Sequence, residues 1–149
     1  MKRIKGFVLL KTSRGQRRGL YARSYTLLRK FTLCSNDVKL QLFQTFCTNI
    51  YAAHLWSSYT VYSYNQVKVA YNNAYRALFG CDRFCSASNM FVSNNIATFD
   101  CMLRKAVFNF RNRVAISENV LVNTLHNNFS VNNGALYNKW CQMLYCRQI

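Results

Sequence analysis

The chain has 149 residues, half of them apolar and 15% aromatic, which is enough for one domain with a real core and lacks the low-hydrophobicity signature of disorder. Twenty Lys and Arg face only four acids, a net charge of +16. Such an excess repels itself in a compact state unless a polyanion offsets it, so nucleic acid is the expected partner and an anionic membrane surface the competing one. No apolar run approaches the ~18 residues of a membrane span. GFVLL at 6–10 is too short for a signal peptide and no small-residue cleavage site follows it, so neither a membrane span nor secretion is expected.

No proline interrupts the chain, and Gly6, Gly15, Gly19 and Gly80 are placed near helix ends. From about 16 to 31, Leu20, Leu27, Leu28 and Phe31 share one face while Arg14, Arg18 and Arg29 point the other way. Ser35 or Asn36 starts a second helix expected to run to about 55, with Val38, Leu42, Phe43, Phe46, Cys47, Ile50 and Tyr51 covering almost half its circumference. That breadth predicts that the second helix is the core. A third helix, about 63 to 79, buries Val67, Ala70, Tyr71, Ala74 and Leu78, turns Lys68, Asn72 and Arg76 outward, and ends at Gly80. Ser86 or Ser88 opens a short helix through Val92. Thr98 caps a longer one to about 115, with Phe99, Leu103, Ala106, Phe110 and Val114 inward and Arg104 and Arg111 together on a flank. The Asn-rich stretch 127–133 reads as a loop. A last segment, about 135 to 146, carries Leu136, Trp140, Met143 and Leu144. The expected fold is all-α, a compact bundle of about five helices.

Chemistry is sparse. Phosphoryl-transfer enzymes hold metal ions with converging carboxylates, whereas Asp37, Asp82, Asp100 and Glu118 stand apart in sequence, and Asp37 and Asp100 suit the first turns of helices. There is no glycine-rich phosphate loop. His54 falls on the apolar side of the second helix, as a core histidine would. Seven cysteines (34, 47, 81, 85, 101, 141 and 146) lie without zinc-type spacing and read as buried free thiols, which implies a reducing, intracellular compartment, nuclear or cytoplasmic. No cofactor and no metal is expected. The basic residues carry more. Ten lie in residues 1–30 with no acid among them, while 119–149 hold only Lys139 and Arg147.

Residues 17–31, RRGLYARSYTLLRKF, resemble the LYARxNxLxRKF segment that follows the palm in reverse transcriptases of non-LTR (LINE-type) retrotransposons. Similar blocks follow in that family's order and spacing: CSNDVKLQLFQTFCTNIYAAHLW (34–56), KVAYNNAYRALFG (68–80), SASNMFV (86–92) and LRKAVFNFRNRV (103–114). Tyr25 stands where the family prefers Asn. The resemblance implies a thumb-like helical domain over 14–122, preceded by a non-matching segment 1–13 and followed by an Asn-rich loop and C-terminal helix over 123–149. In that family the thumb grips the template–primer duplex, and the catalytic aspartates would lie upstream of this chain. What it implies here is a non-enzymatic fragment that binds duplex, RNA/DNA hybrid or RNA through a basic face, with a reverse-transcriptase palm as a partner in the parent protein. The alternative is an inert structural or interaction remnant of a transposable element. The candidate contacts are Arg14, Arg17, Arg18, Arg23, Arg29, Lys30, Lys68, Asn72, Arg76, Arg104 and Arg111.

Overall fold

A computed structural model of the chain describes residues 2–48, 50, 59–131 and 134–145, with side chains described from 14 onward except at 129–131. Tyr51, His54 and Cys146 therefore lie outside the described residues, and so do positions 132 and 133 of the Asn-rich stretch. Among the described residues the protein is all-α, with seven helices and no strand: α1 (Lys2–Lys30), α2 (Asn36–Phe46), α3 (Val61–Phe79), α4 (Ala87–Ser93), α5 (Phe99–Ala115), α6 (Val120–Val131) and α7 (Ala135–Tyr145). The chain divides into two units, Met1–Tyr51 with Thr60–Asp100, and Ala52–Tyr59 with Cys101–Ile149.

In the first unit α1 packs along α3, with α2 touching both. The core is α3. Ser63, Tyr64, Val67, Ala70, Tyr71, Ala74, Tyr75 and Leu78 are all buried, the 3.6-residue stripe that the sequence predicts plus Ser63, Tyr64 and Tyr75. Its rings form one cluster. Tyr71 lies 5.6 Å from Phe91 in a stacked pair, Phe43 meets Tyr71 and Tyr75 at 5.3 Å each, and Tyr75 stacks on Phe79 at 4.4 Å. Full burial of each such ring is worth about 1.5–3 kcal/mol, and each paired contact about 0.5–1.5 more. Their phenols stay bonded, Tyr71 to the Ala97 carbonyl at 3.0 Å and Tyr75 to that of Met90 at 3.3 Å. Thr60 caps the start of α3 by accepting the Ser63 N–H at 3.1 Å, and Gly80 ends it in the left-handed region at φ 64.

Three expectations are corrected. The first helix begins at Lys2, and Gly6, Gly15 and Gly19 lie inside it, because a glycine weakens a helix by only about 1 kcal/mol and no proline stops this one. The second helix stops at Phe46 and is not the core: within it only Phe43 is buried, and Val38 and Phe46 remain 45% and 49% exposed. Thr45 returns its hydroxyl to the Gln41 carbonyl at 2.8 Å and Thr48 does the same to Gln44, a back-bonding that loosens a last turn, and the Cys47 N–H closes the helix on Phe43. Residues 127–131 are helical, as the end of α6. Asn disfavours helix interiors, but the Asn119 side chain caps α6 by accepting the Leu121 and Val122 N–H groups at 2.9 and 3.3 Å. Asn127 and Asn128 ride its exposed side.

In the second unit Leu103, Val107, Trp140 and Met143 are buried, with Ala106, Phe110 and Val114 half-buried. Phe110 meets Trp140 edge-on at 5.6 Å.

Candidate nucleic-acid interface

The outer face of α1 is built by spacing. Steps of four and eleven residues return to the same side of a helix, so Arg14, Arg18 and Arg29 align, and all three are exposed. Tyr25, seven residues past Arg18 and four before Arg29, joins the stripe and is 56% exposed. Opposite them Leu20, Ser24 and Leu27 are buried, which fixes the rotation of the helix; the Ser24 hydroxyl is satisfied by the Tyr21 carbonyl at 3.0 Å. Lys30 is exposed, and Arg17 and Arg23 are half-buried, the Arg23 Nε donating to the Gly19 carbonyl at 3.1 Å. The first acid along the chain is Asp37, in the first turn of α2.

The polar arc of α3 is bound up within its own unit. Lys68 Nζ lies 2.6 Å from Asp100 Oδ2, with both side chains partly exposed, and the Tyr64 hydroxyl donates to the other oxygen of the same carboxylate. Asn72 is half-buried. Arg76 is half-buried as well: its Nη2 donates to the Cys85 carbonyl at 2.9 Å and its Nη1 to Asn73 Oδ1 at 3.2 Å, while Nε is shut off from solvent. Arg76 keeps the outer side of α3, but its guanidinium is engaged there by Asn73 and by the turn that follows Gly80. Of the residues on α5, Arg104 is half-buried with its Nε enclosed, and Arg111 places its guanidinium 5.4 Å from the centre of the Tyr137 ring. The candidate set thus separates into Arg14, Arg18, Arg29 and Lys30, exposed on α1, and the rest, half-buried: Arg17 and Arg23 on α1 and the groups on α3 and α5.

Acid and thiol chemistry is correspondingly quiet. Asp82 Oδ1 accepts the Phe84 N–H at 2.8 Å, and Asp100 is held by Lys68 and Tyr64. Among the described residues no three His, Cys, Asp or Glu side chains gather closely enough to hold a metal ion. Among the described residues Cys47 is the buried cysteine; Cys85 and Cys101 are exposed and Cys34, Cys81 and Cys141 intermediate, which corrects the reading of buried thiols. Burial pushes the Cys47 thiol up to about 11, with the charge of Arg23 acting in the opposite direction. Burial and the neighbouring Cys85 also raise Cys81, against the lowering effect of Arg76. Thiols held protonated in this way are poor nucleophiles at neutral pH. No helix among the described residues is long and apolar enough to cross a membrane.

Two exposed aromatics beside basic side chains escape a reading of charge alone. Tyr25 could have been found from its spacing to Arg18 and Arg29. Phe84, 86% exposed in the turn between α3 and α4, has no periodicity to reveal it. No protein family, curated protein or solved structure matches the chain.

Proposed function

We propose that the chain is a non-catalytic, thumb-like helical module that binds nucleic-acid duplex or RNA/DNA hybrid through the outer face of α1. What carries the reading is the alignment of exposed Arg14, Arg18 and Arg29, with Lys30 beside them, on a helix that contains no acid. The order and spacing of the reverse-transcriptase-like blocks point the same way. Arginines on a straight face meet phosphates without reading bases, so affinity is governed by charge and is indifferent to sequence. The half-buried and paired groups on α3 and α5 act mainly as scaffold in this reading.

A salt titration of duplex binding by fluorescence anisotropy tests it. Neutralising about five phosphates gives a slope of log K against log salt near −4.5. Replacing Arg14, Arg18 and Arg29 by Gln brings the slope to about −2, since each phosphate left unneutralised removes about 0.9. Between roughly 50 and 200 mM salt the wild type then loses about 500-fold in affinity and the triple variant only about tenfold. A flat salt response, or a triple variant that binds like wild type, overturns the proposal and leaves an inert remnant.

A further inference from the structure

The turn between α3 and α4 holds an apolar ring out into solvent and braces the backbone on both sides of it. Gly80, at φ 64, directs the chain out of α3, and the Cys81 N–H returns to the Arg76 carbonyl at 3.1 Å. Asp82 takes the Phe84 N–H on its side chain at 2.8 Å and the Cys85 N–H on its carbonyl at 3.1 Å. Arg76 closes the far side by donating to the Cys85 carbonyl at 2.9 Å, and Ser86 then begins α4. Inside this frame Phe84 is 86% exposed. Arg83, also exposed, sets its guanidinium 5.4 Å from the centre of the Phe84 ring.

A phenyl ring in water forgoes the stabilisation that burial would bring. In this turn hydrogen bonds from neighbouring groups fix the segment that presents it. A flat apolar face beside a cation, on a chain of net charge +16, matches a ligand that is itself flat and carries an adjacent anion. An unpaired nucleobase with its phosphate has that form, whereas a paired base inside a duplex has its faces covered by its neighbours.

We infer that Phe84 is a stacking platform for an unpaired base of the bound nucleic acid, with Arg83 meeting the phosphate next to it. The inference rests on the nucleic-acid reading and adds to it a preference for substrates with a single-stranded segment.

The test compares a blunt duplex with the same duplex bearing a short single-stranded overhang, both labelled and followed by anisotropy, on wild type, F84A, F84W and R83Q. Wild type binds the overhang substrate more tightly. F84A loses about tenfold on the overhang substrate, within the range for one base–aromatic stack, and nothing on the blunt duplex. F84W retains the preference, and R83Q lowers the salt slope on the overhang substrate by about one. Thermal melts of the variants control for folding, and F84W, which keeps a ring at this position, carries the test if F84A melts low. An F84A protein that binds the overhang substrate as wild type does overturns the inference, the result expected if the ring docks a protein partner, and so does an equal loss on both substrates, the result expected if the ring supports the fold. In either case the nucleic-acid reading stands. A wild type that binds neither substrate removes that reading and the inference together.

Discussion

Arg76 offers the sharpest separation of a structural from a nucleic-acid role on α3. Its guanidinium donates to the Cys85 carbonyl at 2.9 Å and to Asn73 Oδ1 at 3.2 Å. A hydrogen bond from a charged donor is worth about 1.5–3 kcal/mol when buried, but both of these are open to solvent, so Arg76→Ala should cost about 1–2 kcal/mol in total. For a chain of this length that lowers Tm by roughly 2–8 °C. Arg76→Lys is the informative partner, because lysine keeps the charge and loses the planar fork that reaches two acceptors at once. Melts of the three proteins by circular dichroism should therefore place Lys close to Ala, both below wild type, while blunt-duplex affinity by anisotropy changes by less than about twofold in each. The opposite pattern would refute the argument: unchanged melts, with affinity lost in Arg76→Ala and kept in Arg76→Lys, would make Arg76 a phosphate contact.

Gly80→Ala forces a Cβ into a left-handed conformation at φ 64 although nothing lies within 4 Å to clash with it, so about 1 kcal/mol is lost to backbone strain alone, and Gly80→Asn should lose less in a urea titration. Tyr71→Phe keeps the ring cluster but removes the bond to the Ala97 carbonyl, for a loss of about 1 kcal/mol by the same titration; a loss above about 3 kcal/mol would mean that the rings had repacked. Alkylation by iodoacetamide at about pH 8 should label Cys85 and Cys101 well before Cys47, read by peptide mass spectrometry. The Cys47 thiol is raised from 9.0 to about 11 on folding, so its contribution is whole below about pH 9 and is lost as pH rises towards 11; the melting advantage of wild type over Cys47→Ala should shrink across that window.

The sequence made α3 legible because two independent signals agree there: the apolar stripe from Val67 to Leu78, and Gly80 at the end. The Thr60 cap sets its start two residues earlier than the stripe alone suggests. Break-points elsewhere were not legible. Ile50 and Tyr51 continue the period of α2, and period alone does not register that Thr45 and Thr48 turn their hydroxyls back on the carbonyls one turn before them. In α6 the composition of the Asn-rich end suggested a loop, while the decisive contact was the Asn119 cap at the start. The exposed arginines of α1 follow from helical spacing once Leu20 and Leu27 are taken as the buried side. Lys68 and Arg76 were beyond that logic. Asp100, which pairs with Lys68, lies 32 residues away, and the Cys85 carbonyl that engages Arg76 belongs to a turn whose path depends on tertiary contacts. Facing direction can be read from a helical wheel, whereas occupancy by a distant partner cannot.

The continuity of α1 also sets a length scale. Fifteen residues separate Arg14 from Arg29, so the stripe spans about 22 Å along the helix axis. The phosphates of one DNA strand advance by about 3.4 Å per base pair along the duplex axis, which makes the stripe as long as about six or seven base pairs measured on that axis. A helix cannot shorten to suit a smaller ligand, so under the proposed function α1 would act as a ruler: on shorter duplexes one end of the stripe would face water and its share of the affinity would be missing. On long duplexes the same dimension would limit crowding, since copies bound through this face could not settle closer than the length of the stripe allows.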